Sequence, residues 1–165
     1  MADPKLDLPT SSSSSPQPSF PAAGLRVSEQ PMPVDSPDAP NVAVIREFLS
    51  ALDSGDTPAA RALLANDVHW DVVGRGPVAG PHDGPEEVLA VDATLRRLSG
   101  GTLRHHVLIW LAAGEHAHAV ARQSATRNGT EASFDRAFVF TVSAARITEI
   151  HAYTDDLYAF DAFWS

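Results

Sequence analysis

The dipeptide Asn128-Gly129 constrains the fold of this chain more than any other pair of residues. A two-residue type I′ turn requires positive φ at both central positions, and Asn-Gly meets that requirement at little cost. The segments on either side, 115–127 and 130–142, are strand-like in composition and period. The pattern therefore predicts an antiparallel hairpin with this dipeptide at its turn.

Two more strands are predicted around this hairpin, at 102–112 and 146–155, joined by turns at Ala113-Gly114 and at 143–145. Side chains that lie opposite each other in such a meander share a face of the sheet. The expected pocket face carries Trp110, Leu108, His106 and Arg104 opposite Ala117, Ala119, Ala121 and Gln123, which lie opposite Phe140, Phe138, Arg136 and Phe134. Large groups flanking a row of alanines make a concave floor for a pocket.

The opposite face of the meander is expected to mix apolar and polar groups. Its members are Val107, Ile109, Leu111, Val120, Val139, His116, His118, Arg122 and Asp135. Such a surface suits a homodimer contact through the sheet. The H-x-H pair in it is interpreted as a surface or interface feature, because a metal site would need a third ligand of matching geometry.

Upstream of Thr102 the apolar period is mainly helical. The predicted elements are a helix from Pro40-Asn41 to Gly55, a second from Thr57 as N-cap through Ala65, a strand at 68–73, an irregular loop at 74–85 and a third helix at 85–98. A short aromatic helix at 157–164 closes the chain. Helices packed on one face of a curved antiparallel sheet, in the order ααβαββββ, indicate the α+β class.

Composition separates residues 1–40 from the rest. Nine of the 13 prolines and a run of five serines fall there, which predicts a disordered Pro/Ser-rich tail before a single domain at 41–165. Cysteine is absent, so disulfide scaffolds and thiol nucleophiles are excluded. The formal charge of −9 argues against nucleic-acid binding. With no long apolar run and no apolar leader core, we expect a cytoplasmic protein without a membrane partner.

Several stretches resemble the SnoaL-like branch of the nuclear transport factor 2-like (NTF2-like) superfamily. They are 69–80 (HWDVVGRGPVAG), 100–104 (GGTLR), 146–155 (RITEIHAYTD) and 161–164 (DAFW). The resemblance implies a cone of helices on a curved sheet, commonly dimeric. The superfamily includes ketosteroid isomerases, polyketide cyclases, epoxide hydrolase-like enzymes and non-catalytic transport factors, so fold does not decide activity. The chain departs from the family at its last hairpin, where Ala144-Ala145 replaces a frequent Asp-Gly.

The resemblance can be tested at the catalytic positions of two relatives. For ketosteroid isomerases, the tyrosine position is Phe48, the base falls at Val72 or, with a shift of one, at Asp71, and the donor acid falls near Ala137. The polar positions of the epoxide hydrolase-like enzymes fall near Ala119, Ala121 and Ala152. Neither reaction is therefore supported in full.

Asp71 and His106 are the candidate catalytic residues. A carboxylate inside an apolar cone would have a raised pKa and could accept a proton from carbon, although Asp71 could equally face solvent. His106 and Arg136 lie on one predicted cross-strand row and could polarise a carbonyl or stabilise an enolate. An arginine among phenylalanines should meet a ligand, solvent or a carboxylate such as Asp71. The candidate ligand-binding residues are Arg136, Trp110, Gln123, Phe48, Phe134 and Phe138.

Together these features favour a small-molecule enzyme that isomerises or cyclises an apolar polyketide- or steroid-like ligand by acid–base chemistry. Neither a cofactor nor a metal is expected. The alternative is a non-catalytic ligand-binding or dimeric interaction module of the same fold, favoured by Phe48 and by the alanines at family catalytic positions.

Overall fold

The computed structural model of the protein describes residues 39–165, so nearly all of the predicted tail lies outside the described residues. The helices are α1 (Pro40–Ser54), α2 (Thr57–Ala62), α3 (Gly84–Leu98) and α4 (Leu157–Trp164). The strands are β1 (Leu64–Val72), β2 (Gly80–Asp83), β3 (Arg104–Ala113), β4 (His116–Arg127), β5 (Thr130–Ser143) and β6 (Arg146–Thr154). The α+β class is confirmed, with one additional short strand.

The first two helices follow the predicted apolar stripe and differ in one cap. Ile45, Phe48 and Leu49 are buried on α1, and Gly55 ends the helix with φ of 75°. The N-cap of α2 is Asp56, and the prediction of Thr57 is wrong by one residue. The Asp56 carboxylate accepts a hydrogen bond from the Ala59 N–H at 3.0 Å, so Asp56 and not Thr57 caps the helix.

The six strands form one sheet in the order β2-β1-β6-β5-β4-β3. Neighbouring strands run antiparallel except β1 and β6, which are parallel. The segment 74–85, predicted as an irregular loop, contains β2, which pairs with the end of β1. Proline is tolerated there because β2 is an edge strand whose outer side needs no hydrogen-bond donor.

The Asn128-Gly129 hairpin forms as predicted, with φ of 52° and 78° at its two turn residues. Arg127 pairs with Thr130, and the register continues to Ala117 opposite Phe140. Ala117, Ala119 and Ala121 of β4 are fully buried and lie opposite Phe140, Phe138 and Arg136 of β5. This part of the predicted pocket floor is confirmed.

The β3–β4 hairpin departs from the predicted register at two points. Ala113 pairs with His116, so the turn is Gly114-Glu115 and not Ala113-Gly114. A bulge then lies between Val107 and Ile109, which shifts the register again. A bulge inserts one unpaired residue and turns every following side chain to the other face.

The helices cover one face of the sheet. Helix α1 packs on β3 and β4, and α3 packs on β1. The other face of β3 exposes Leu108, Ile109 and Leu111 by 41–49%. Within residues 39–165, no helix is long and apolar enough to cross a membrane.

Candidate functional site

A narrow cavity lies between the helices and the concave face of the sheet. Side chains of α1 and α3 form its roof and those of β4, β5 and β6 contribute to its floor, and the space inside it that is open to a water-sized molecule is about 20 Å³. Most of the lining is apolar. The polar side chains that reach it are Asp92, His105, Gln123 and Arg136.

The bulge in β3 decides which histidine reaches the cavity. Beyond the bulge, His105 lies opposite Gln123 on the inner face, and its side chain is 5% exposed. His106 lies opposite Arg122 and is exposed. The prediction that His106 faces the pocket is therefore wrong, because it assumed an unbroken ladder from the turn. Val107 also faces inward, while Leu108 is exposed.

His105 is held from α1 by an aspartate. The Asp53 carboxylate lies 3.1 Å from Nδ1 of His105, and the ring packs edge-on against Phe138. Burial opposes ionisation of Asp53, but the hydrogen bond with His105 and the pairing with Arg96 outweigh it and lower the pKa of Asp53. An ionised carboxylate on one ring nitrogen orients the imidazole and leaves the other nitrogen for chemistry.

The amide of Gln123 connects His105 to Arg136. Its Nε2 lies 2.9 Å from Nε2 of His105, and its Oε1 accepts from Nη1 of Arg136 at 3.3 Å. A guanidinium has no acceptor, so the amide oxygen must face Arg136 and the amide N–H must face the histidine. His105 Nε2 is therefore an acceptor, and the ring proton lies on Nδ1, toward Asp53.

Arg136 is a buried cation in an aromatic setting. Only 5% of the residue is exposed, and the guanidinium carbon lies 4.8 Å from the ring centres of both Phe138 and Phe160. Burial lowers the pKa of Arg136 to about 10, which leaves it charged at neutral pH. Its Nε has no hydrogen-bond partner among the described residues.

On the α3 side, Arg96 joins two carboxylates. Its Nη2 lies 2.9 Å from Asp53 and its Nε 2.6 Å from Asp92. Burial raises the pKa of Asp92, and the pairing with Arg96 offsets this only in part. The result is a half-buried ion cluster at the edge of the cavity, which fixes α1 against α3 beside His105.

The structure brings together half of the residues predicted for the site. Phe48, Gln123, Arg136 and Phe138 line the cavity. Phe134 packs instead on Phe160 and Phe163, and Trp110 lies beneath Arg46 at 5.3 Å.

Asp71 does not reach the cavity. It is exposed on β1, where it pairs with Pro81 of β2, while its neighbours Trp70 and Val72 are buried. Of the two predicted orientations, the solvent-facing one is observed. Asp135 and Arg122, both predicted for the outer face, lie there as an ion pair at 2.7 Å.

Sequence reasoning missed three polar residues of the site, namely Asp53, Asp92 and His105. The i,i+4 spacing of Asp92 and Arg96 was a readable sign of a helix-surface ion pair. Asp53 follows the apolar stripe of α1 directly, and His105 precedes the predicted histidine, so neither stands out by pattern. Within residues 39–165, no group of three or more His, Asp or Glu side chains is arranged to hold a metal ion.

Comparison with known proteins identifies the family and the fold of this chain. Residues 45–150, more than half of the chain, match the family described as SnoaL-like domain. None of the curated proteins matches the sequence.

Among solved structures, Bal32a from a soil-derived mobile gene cassette is 28% identical, with a TM-score of 0.73 over 76% of this chain and 97% of that one. An NTF2-like protein from Burkholderia xenovorans is 24% identical, with a TM-score of 0.65 over 76% of this chain and 96% of that one. TerC, co-crystallised with polyporic acid, is 19% identical, with a TM-score of 0.68 over 76% and 98%. The NTF2-like cone implied by the sequence resemblance is thus confirmed.

Proposed function

Because the chain belongs to the SnoaL-like domain family, we propose that it is a small-molecule enzyme that uses acid–base chemistry without a cofactor. The reaction is an isomerisation or a cyclisation of a mostly apolar ring compound of polyketide- or steroid-like kind. The observation that carries the proposal is the oriented pair of Asp53 and His105 at 3.1 Å, at the wall of an apolar cavity.

In the proposed reaction, Nε2 of His105 removes a proton from a carbon next to a carbonyl group. The electrons of the C–H bond form an enolate, whose oxygen lies toward Arg136 and the amide N–H of Gln123. Where a C=C bond adjoins the enolate, return of the proton to its far carbon shifts the double bond and completes an isomerisation. Attack of the enolate on a second carbonyl group instead closes a ring, and the alkoxide that forms takes the proton back from His105. Asp53 holds the imidazole and stabilises its positive charge during the step.

The Gln123 amide must move during this cycle. It donates to the same Nε2 that has to accept the proton, so a ligand has to displace it. Once His105 carries both protons, the amide can turn its oxygen toward the ring, provided the ligand takes over the contact with Arg136. Proton transfer at His105 is thereby linked to occupation of the arginine.

The second candidate function is ligand binding without turnover. The cavity is narrow, and the Gln123 amide donates a hydrogen bond to the basic nitrogen of His105. TerC, a protein of this fold, was co-crystallised with polyporic acid. That example is compatible with a ligand-binding role for this chain.

Exchange of carbon-bound protons distinguishes the two functions. We expect the protein to accelerate deuterium uptake in heavy water, followed by ¹H NMR, for at least one member of a panel of cyclic β-diketones and aryl ketones. His105→Ala should lower the rate by about 100-fold or more, and the matched control His106→Ala, its exposed neighbour, should leave it unchanged. Exchange that survives His105→Ala would reject the mechanism, and ligand binding without exchange would favour the binding module.

A homodimer through the outer face of the sheet is part of the same proposal. The apolar residues exposed on β3 support it, because a contiguous apolar surface on a sheet is a common place for subunit contact.

A further inference from the structure

We propose that the ligand of the cavity is an anion, a flat apolar ring compound that carries a carboxylate, and that Arg136 binds this carboxylate edge-on. The inference rests on the proposed function of the cavity as a ligand site. It goes further by naming the charge and the group that the ligand must carry.

The charge of Arg136 lacks a counter-ion. No carboxylate of residues 39–165 lies within 4.0 Å of its guanidinium, although the residue is 95% buried. A buried cation without a partner is costly, and protein charges in such places normally find an opposite charge. The carboxylates near the cavity are not counter-ions of Arg136, because Asp53 and Asp92 both bind Arg96.

The aromatic rings leave the edge of the guanidinium for a ligand. The ring centres of Phe138 and Phe160 each lie 4.8 Å from the guanidinium carbon, and Nη1 donates a hydrogen bond to Gln123. Nε remains without an acceptor. A guanidinium edge presents parallel N–H groups that match the two oxygens of a carboxylate.

A second unpaired donor lines the same cavity. The indole Nε1 of Trp70 is buried without an acceptor among the described residues. No buried side-chain oxygen in that part of the chain lacks a partner. Two donors at the wall of the cavity thus lack acceptors, which a carboxylate of the ligand can supply.

Arg136 also borders a surface groove between β6 and α4, lined by Val73, Tyr153, Leu157 and Phe160. In the proposed complex the carboxylate reaches Arg136 from the side of this groove and the ring lies toward His105, and the side chains that bury Nε of Arg136 move aside to admit it.

Matched neutral and anionic probes test the proposal without any turnover. We would measure the affinity of the full chain for 2-naphthoate and for 2-naphthamide by titration calorimetry at fixed ionic strength. The two probes share a ring and differ in charge. We expect naphthoate to bind at least about tenfold more tightly, as a charge-assisted bidentate pair in a buried site requires.

Two substitutions locate the preference. Arg136→Gln should remove it, and Arg136→Lys should keep part of it. Arg122→Gln makes the same chemical change on the outer face of the neighbouring strand and should leave the preference intact. Circular dichroism checks that each variant is folded, and the comparison on the unchanged protein does not depend on any variant.

Equal affinities for the two probes, no binding of either, or a preference that survives Arg136→Gln would each overturn the proposal. These outcomes are separate from those of the exchange experiment. Loss of exchange in His105→Ala with no charge preference would uphold the acid–base function and reject the anionic ligand. The reverse pair of results would leave an anion-binding module.

Discussion

Asp53 and Asp92 bind the same arginine from the two helices that roof the cavity, yet their pKa values move in opposite directions. Burial raises both, but Asp53 also has His105 as a partner, and its pKa ends below the ordinary value. The pKa of Asp92 stays above it. A carboxyl whose pKa falls on folding stabilises the folded state when ionised, and one whose pKa rises destabilises it.

Asparagine substitutions should therefore differ at neutral pH. Asp53→Asn removes a charge that two donors bind and should lower the free energy of unfolding by about 1–3 kcal/mol. Asp92→Asn keeps an oxygen for Arg96 and removes a costly buried charge, so the change should be below about 1 kcal/mol, in the stabilising direction. Urea unfolding at pH 7 measures both, and a larger loss in Asp92→Asn than in Asp53→Asn would contradict the account.

The pH dependence of these variants follows with a definite sign. The Asp53 contribution is complete above its unfolded pKa of about 4 and is lost as pH falls through its lower folded value. The cost of ionised Asp92 is absent below about pH 4 and develops as pH rises through its higher folded value. The stability difference between either variant and the unchanged protein should therefore shrink in acid, and thermal unfolding from pH 7 to pH 3 would show it.

The residues that reach the cavity could be predicted only where the register of the strands could be predicted. Gln123, Arg136 and Phe138 follow from the Asn128-Gly129 turn, whose chemistry sets the β4–β5 pairing. His105 does not follow from it, because a turn one residue later and a bulge near Leu108 carry no distinct sequence signal. The later turn moves the pairing by two residues and keeps each side chain on its face, whereas the bulge moves it by one residue and exchanges the faces. The direction of Asp71 was undecided because one residue of register also decides it on β1.

At the level of elements, the β5–β6 turn is strained where the family often has Asp-Gly. Ala144 and Ala145 both adopt left-handed backbone, with φ of 48° and 57°. Each such alanine costs about 1 kcal/mol relative to a residue suited to that region. The sheet pairing on both sides keeps the turn in place despite this cost.

The double substitution of Ala144→Asn and Ala145→Gly should therefore stabilise the protein by about 1–2 kcal/mol, measured by urea unfolding. The opposite exchange in the other hairpin, Asn128→Ala with Gly129→Ala, is the matched control and should destabilise by a similar amount. No gain from the first pair would mean that the turn is not strained.

Helix α4 was predicted from its aromatic residues, but the contacts that hold it were not. The Asp161 carboxylate accepts from the backbone N–H groups of Arg75 and Gly76 at 2.9 and 3.2 Å. A Cβ on Gly74 would lie 2.6 Å from an Asp161 oxygen, at a φ of 138°. These contacts keep Phe160 over Arg136. Gly76 and Asp161 are 85 residues apart in the chain, and local sequence patterns do not predict contacts over such a separation.

Breaking that attachment should loosen α4. Asp161→Ala should cost about 1–3 kcal/mol, since it leaves two backbone donors without an acceptor. Hydrogen exchange of α4 amides should accelerate while β4 and β5 amides stay protected. Asp67→Ala is the control, since Asp67 is an exposed aspartate on β1 outside this contact. Uniform acceleration throughout the sheet would indicate general destabilisation instead.

For the whole molecule, sequence patterns predicted the α+β class, the meander and the cone. The parallel contact between β1 and β6 and the short β2 were not foreseen. Both depend on where β1 packs against the curved meander. A parallel pairing between strands some 80 residues apart has no connecting turn whose sequence would predict it. The face left uncovered by the helices was predicted, except that the bulge takes Val107 out of it and places His106 and Leu108 in it.

That uncovered face carries the last prediction, that the protein is a dimer in solution. Leu108, Ile109 and Leu111 are 41–49% exposed on edge strand β3, and burying them against a second copy would remove this apolar area from water. Leu111→Glu places a charge in the contact and should shift the protein to monomers in analytical ultracentrifugation at micromolar concentration. Tyr158→Glu, on the 87% exposed tyrosine of α4, should leave the dimer intact. A monomeric unchanged protein, or equal effects of both substitutions, would contradict the assignment of this face.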